Sequence, residues 1–144
     1  MIIWFTGQPN SGKTTLSTIL LLYLNSLGKT TNWIDGDSLR ELIKNNDYSV
    51  KGRRHNIDVA QSMAKTFALN NDYVVVSVVA PFKDQRESFK VGNDVKEIYL
   101  KSSRIREGKM VDYYEPPDDN FLYINTDTSN IIESFESIKK YINA

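Results

Sequence analysis

Apolar residues fall into two kinds of run along this chain, and the two kinds take turns. Ile2–Thr6 (IIWFT) is continuously apolar or aromatic until Gly7 stops it, the pattern of a buried strand. Over residues 13–27 the apolar positions move to helical spacing (Leu16, Ile19, Leu20, Tyr23, Leu24, Leu27) and end at Gly28, a helix C-cap signal. A second short strand covers 31–34 and runs into Asp35. A short helix follows over 38–45, with Asp37 placed to cap its N-terminus. The stretch 54–70 carries Ile57, Ala60, Met63, Ala64 and Phe67 on one helical face. Residues 73–79 are β-branched almost throughout, as in a strand covered on both faces. A helix over 84–90, a strand over 96–100, a strand over Phe121–Asn125 and an amphipathic helix over Ile131–Ile142 complete the series. Strands that alternate with helices predict a three-layer α/β fold. Its sheet has five strands, mostly or wholly parallel, with helices on both faces.

The 144 residues suit a single domain with a real core, and residues 1–144 are read as one. Lys plus Arg and Asp plus Glu both number 18, so no basic excess points to nucleic acid or to an anionic membrane. There is no cysteine, which excludes disulfides and thiolate metal sites and fits a cytoplasmic protein. The one histidine, His55, excludes a His-cluster metal site and reads as a surface residue. The apolar run at residues 19–23 is too short to cross a bilayer, and MIIWFTG lacks the charged start of a signal peptide. Partners are therefore expected to be small molecules, with no nucleic acid and no membrane, and a homodimer is left open.

Within this frame the stretch GQPNSGKTT stands out. Gly7, Gly12, Lys13 and Thr14 satisfy G-x-x-x-x-G-K-[ST], between a predicted strand and a predicted helix. Successive backbone N–H groups of such a loop wrap a polyphosphate at the positive end of a helix. A glycine-rich turn with a chance lysine would not need that context. Gly7, Gln8, Pro9, Asn10, Ser11, Gly12, Lys13, Thr14 and Thr15 are thus the expected ATP-binding loop. Lys13 supplies charge to the outer phosphates, and the Thr14 hydroxyl is the candidate ligand for Mg²⁺ arriving with ATP.

The acceptor side is expected beyond the carboxyl ends of the same strands. DGDSLR places Asp35, Asp37 and Arg40 there. A carboxylate in that position takes a proton from an acceptor hydroxyl or organises Mg²⁺, and an arginine one turn on grips an anion. Asp37 as a plain cap and Arg40 as a solvated helix residue are the simpler alternatives. YSVKGRRHNID adds Tyr48, Arg53 and Asn56, an aromatic ring and an anion clamp ahead of a helix, or simply a solvated helix start.

DGDSLR, the R-x-x-N of Arg53 and Asn56, APFKDQRE and YEPPDDN, in this order and behind the phosphate loop, resemble the adenylylsulfate kinase family. The resemblance implies a P-loop kinase fold and transfer of the ATP γ-phosphoryl group to the 3′-hydroxyl of adenylyl sulfate. It implies catalytic roles for Lys13 and Asp35. It implies that Asp37, Arg40, Tyr48, Arg53, Asn56, Pro81, Phe82 and Lys83 bind the acceptor. Ser38 stands where the family pattern has Asn, Tyr48 where it has Phe, and Ala80 where many relatives carry a serine. The family's longer segment before the YEPPDDN block, its lid, is reduced here to KSSRIREGKMVDY within residues 101–120. Arg104, Arg106 and Lys109 remain to supply charge there, and Met110 or Tyr113 to cover the acceptor. A kinase of another small alcohol, such as a nucleoside or a sugar, and a nucleotide-binding protein without turnover are the competing expectations.

Overall fold

The computed structural model describes residues 1–104 and 110–144. Its elements run β1 (Ile2–Thr6), α1 (Lys13–Ser26), β2 (Thr31–Asp35), α2 (Gly36–Leu42), α3 (Val50–Ala68), β3 (Tyr73–Ser77), α4 (Lys83–Lys90), β4 (Val95–Lys101), β5 (Phe121–Asn125) and α5 (Ile131–Ile142). The five strands form one sheet in the order β2-β3-β1-β4-β5, and every pairing is parallel. The expected three-layer α/β architecture is thus present, with a wholly parallel sheet.

The unbroken apolar runs have a direct cause. Side chains of a strand alternate between faces, and both faces of this sheet are covered. In β1, Ile2 and Trp4 enter one core with Val74, Val76, Ile57, Ala60 and Phe89. Ile3 and Phe5 enter the other, with Val75, Leu16, Leu20, Ile98 and Ile138. Trp4 and Phe89 meet edge to face, with ring centroids 5.7 Å apart, which fastens α4 to the sheet.

A second contact across α4 is ionic. Arg86 and Glu97 are both buried, and Arg86 Nε lies 3.2 Å from a Glu97 carboxylate oxygen. Lys90 Nζ donates to the other oxygen at 2.9 Å. Arg86 also donates through Nη1 to the Ala80 carbonyl at 2.6 Å and through Nη2 to the Glu115 carbonyl. One buried cation therefore fixes the chain leaving β3 and the chain returning toward β5. Ala80 needs such support, because it sits at φ 47, a left-handed conformation unusual for alanine.

Several element boundaries differ from the sequence reading by a few residues, and three of them have a clear local reason. Helix α2 begins at Gly36 because Asp35, not Asp37, is its cap: Asp35 Oδ2 accepts from Ser38 N at 3.2 Å. Helix α3 begins at Val50 because the Ser49 hydroxyl accepts from Gly52 N at 3.3 Å. Strand β3 ends at Ser77, level with the end of β2, since Ser77 pairs with Asp35 there and with Phe5 of β1. Past it the chain turns away, and the Val79 carbonyl accepts from the Thr6 hydroxyl at 2.7 Å.

Candidate active site

The sheet reverses its winding beside β1, so the carboxyl ends of β1, β2 and β3 open onto one crevice. The phosphate loop closes one side of it. Gly7 has φ 147, and a Cβ there would lie 2.3 Å from the Leu100 carbonyl, so only glycine lets the loop leave β1 against β4. Asn10 follows at φ 65, a conformation asparagine tolerates. Lys13 opens α1 with its side chain buried. Its ammonium donates to the carbonyls of Gln8 at 2.7 Å and Gly7 at 3.0 Å. Burial pulls Lys13 down from its ordinary value to about 8, while Asp37 and Asp35 pull the other way.

A cavity of about 550 Å³ occupies the crevice. Pro9, Asn10, Gly12, Lys13, Thr14 and Thr15 line the loop side, and Asp35 and Asp37 stand at the end of β2. Arg40, Tyr48, Arg53 and Asn56 form the opposite wall, with residues 77–81 and Met110 completing it. The structure thus gathers Lys13, Thr14, Asp35, Asp37, Arg40, Tyr48, Arg53, Asn56 and Pro81 around one space, as the sequence led us to expect.

Each wall residue is held in place. Asp35 accepts from Ser38 N and Oγ through Oδ2, and from Ser77 Oγ at 3.4 Å through Oδ1. Arg40 donates to the carbonyls of Asn45 and Asp47 at 3.1 and 3.0 Å, and its guanidinium carbon lies 4.0 Å from the Tyr48 ring centroid. Arg53 approaches the same ring at 5.5 Å and donates through Nε to the Tyr48 carbonyl. This turn depends on Gly52, where a Cβ would meet the Asp47 carbonyl at 2.1 Å. Asn56 is 4 % exposed, and its side-chain oxygen has no hydrogen-bond partner among the described residues. A buried acceptor left unpaired at a cavity wall is costly unless a ligand satisfies it.

Other expected residues lie elsewhere. Phe82 is buried in the core beneath Arg54, and Lys83 is ion-paired with Asp118; neither lines the cavity. Gly7, Gln8 and Ser11 shape the loop from behind it. Tyr113 stacks on Phe82 with centroids 5.6 Å apart, so of the two expected covers Met110 is the one at the cavity. Arg106 and Lys109 lie outside the described residues. His55 is exposed, as expected.

A second cavity, of about 560 Å³, escaped the sequence reading. It shares Gly12 and Thr15 with the first and is otherwise lined by Leu16, Arg104, Thr126 and the start of α5. Arg104 donates to Thr126 Oγ1 at 2.8 Å, and that hydroxyl donates to the Ser11 carbonyl at 2.9 Å, which ties the β5 end to the phosphate loop. The signal was present: Thr126 follows a strand, and strand ends on this side of a parallel sheet gather ligands.

Among the described residues, no three His, Cys, Asp or Glu side chains cluster as a metal cage. Magnesium does not require one, since it keeps several waters and takes other ligands from phosphates. The exposed Thr14 hydroxyl and the Asp35 carboxylate offer the hard oxygen donors it prefers. Among the described residues, no helix is long and apolar enough to cross a membrane.

Comparison with known proteins follows the same lines. The chain is 30% identical to the adenylyl-sulfate kinase of Staphylococcus epidermidis, across 98% of this chain and 83% of that one. That alignment spans 165 positions against 144 residues here, so the relative carries segments this chain lacks. In fold it is similar to the Mycobacterium tuberculosis APS kinase solved with AMPPNP and APS, with TM-score 0.79 and 21% identity over 99% of this chain and 97% of that one. It is also similar in fold to a gluconokinase from Sinorhizobium meliloti, with TM-score 0.67 and 14% identity over 98% and 90% of the two chains. The fold alone therefore does not select the acceptor. The family model for adenylylsulphate kinase matches residues 1–123, which takes in the phosphate loop, both acceptor segments and all five strands but the end of β5: the chain belongs to the adenylylsulphate kinase family.

Proposed function

We propose that this protein transfers the γ-phosphoryl group of ATP to the 3′-hydroxyl of adenylyl sulfate, making 3′-phosphoadenylyl sulfate. That step is one of sulfate activation, and we place it in the cytoplasm. The observation that carries the reading is the wall opposite Lys13. Arg40 and Arg53 flank the Tyr48 ring, and the unpaired Asn56 oxygen lies beside them. Two guanidiniums suit an acceptor that bears a phosphosulfate, an aromatic face suits one with a base, and a lone acceptor oxygen suits a ligand N–H or O–H. A neutral sugar needs neither cation.

The donor nucleotide enters from the other side. Its phosphates lie along residues 7–15, and its nucleoside occupies the second cavity, between Arg104 and the start of α5. Lys13 then exchanges the Gly7 and Gln8 carbonyls for phosphate oxygens, and its charge offsets the charge that develops as the phosphoryl group moves. Asp35, oriented by Ser38 and Ser77, takes the proton of the 3′-hydroxyl as that oxygen bonds to the γ-phosphorus and ADP departs. Thr14, with Asp35 through water, would hold Mg²⁺, which supplies charge neutralisation to the phosphates. Two reactants held in adjoining cavities on one rigid sheet edge gain most of their advantage from position.

Arg53 is the cleaner of the two arginines to test, because Arg40 also holds the 45–47 turn. A charge-assisted contact is worth about 1.5–3 kcal/mol, so Arg53→Ala should weaken adenylyl sulfate binding by about tenfold to a hundredfold with ATP affinity nearly unchanged. Calorimetric titration with each ligand reads both quantities. Equal loss for the two ligands, or none, would contradict the placement of the acceptor.

A further inference from the structure

We propose that Gln8 is a positioning residue, whose side-chain amide docks the segment around Val111 onto the phosphate loop and so holds Met110 in the wall of the acceptor cavity. The Gln8 backbone belongs to the loop, but its side chain is turned away from the cavity. Its Nε2 donates to the Val111 carbonyl at 2.8 Å, and its Oε1 accepts from Val111 N at 2.9 Å. One planar amide thus satisfies both backbone groups of one residue, as a neighbouring strand would. Val111 is only 3 % exposed, so with the amide in place its backbone groups are kept from water and take their partners from Gln8.

The segment is anchored further on by Tyr114, whose hydroxyl lies 2.7 Å from Thr6 Oγ1, and by Glu115, whose N–H donates to the Pro81 carbonyl at 2.9 Å. Those anchors fasten it to the end of β1 and to the cavity wall, and the Gln8 pair fastens it to the loop that receives the nucleotide. Met110, next to Val111, lines the cavity with Arg53 and Pro81. The Gln8 carbonyl also accepts from Lys13 Nζ at 2.7 Å, so the residue that docks Val111 is bonded to the lysine that a phosphate would claim. The docking itself is independent of what the acceptor is; its effect on adenylyl sulfate rests on the reading given above.

The test compares wild type with Gln8→Ala and Gln8→Glu. Amide hydrogen exchange at Val111 should be protected in wild type and at least about tenfold faster in Gln8→Ala, since two hydrogen bonds hold the segment there. Gln8→Glu should fall between them, because it keeps an acceptor for Val111 N and loses the donor to Val111 O. In steady-state kinetics of Gln8→Ala, KM for adenylyl sulfate should rise about tenfold, several times more than any change in KM for ATP or in kcat. Unchanged Val111 exchange would overturn the docking. An equal rise in both KM values, or a loss confined to kcat, would overturn the positioning role. If wild type fails to phosphorylate adenylyl sulfate while Gln8→Ala still loses protection at Val111, the acceptor assignment fails and the docking stands.

Discussion

On the proposed function, the buried ammonium of Lys13 should make ATP binding a proton-linked event. Lys13 is held at about 8, chiefly by burial, and its hydrogen-bond partners are the neutral carbonyls of Gly7 and Gln8. Polyphosphate at the same place restores the preference for the charged form. Below pH 8 the lysine is already protonated and ATP binds without taking up a proton. Above it each binding event must draw one from solution. Half of the molecules are neutral at pH 8, so about 0.5 proton should be taken up per ATP bound there, and ATP affinity should fall by about tenfold between pH 7 and pH 9. The terminal phosphate of ATP titrates below this window and does not mask the effect. Stability carries the complementary sign. The folded chain binds fewer protons than the unfolded chain between about 8 and the ordinary lysine value of 10.5, so stability should rise through that window, by about 3–4 kcal/mol at 1.4 kcal/mol per pKa unit. Lys13→Met keeps the stem and removes the charge. It should abolish phosphoryl transfer, flatten the pH dependence of residual ATP binding and lose the alkaline gain in stability relative to wild type. Calorimetry at pH 8 in buffers of different ionisation enthalpy counts the protons directly. Zero proton uptake in wild type, or uptake that persists in Lys13→Met, would refute the reasoning.

Two further perturbations separate chemistry from architecture. Asp35→Asn keeps a side-chain oxygen to cap α2, since asparagine caps as well as aspartate, and should lower kcat by on the order of 10²-fold or more with little change in ATP affinity or melting temperature; an unchanged kcat would leave Asp35 as a helix cap alone. Glu97→Gln strands the buried Arg86, so urea unfolding should show a loss of about 3–5 kcal/mol, and a loss below about 1 kcal/mol would contradict the ionic tie across α4.

Much of this arrangement is legible in the sequence because it is local. The apolar runs of β1 and β3 announce a sheet covered on both faces, and the phosphate loop needs only consecutive residues between a strand and a helix. Arg40, Tyr48, Arg53 and Asn56 could be gathered into one site because parallel strands send their carboxyl ends to one edge. What stayed illegible depends on contacts between distant segments. Whether Phe82 and Lys83 face the cavity depends on the turn around Ala80, which the Arg86 side chain holds from the far side. APFKDQRE contains that arginine without indicating its burial against Glu97. Asp35 rather than Asp37 caps α2 because the strand runs one residue further than its apolar pattern, and a polar residue at a strand end looks the same whether it caps, binds or does both. Gln8 sits among loop residues whose motif concerns the backbone, so its side chain has no motif to betray it until Val111 is seen beside it.

The central claim is the identity of the acceptor, and an ADP-release assay with Mg²⁺-ATP and a panel of acceptors tests it most directly. Adenylyl sulfate, adenosine, adenosine monophosphate, gluconate and a neutral hexose should be offered at equal concentration. The account predicts ADP release that depends on adenylyl sulfate, with a 3′-phosphorylated product, and background rates for the uncharged acceptors, which leave Arg40 and Arg53 unused. Turnover of a sugar or a nucleoside in preference to adenylyl sulfate, or ATP binding with no acceptor turned over, would contradict it.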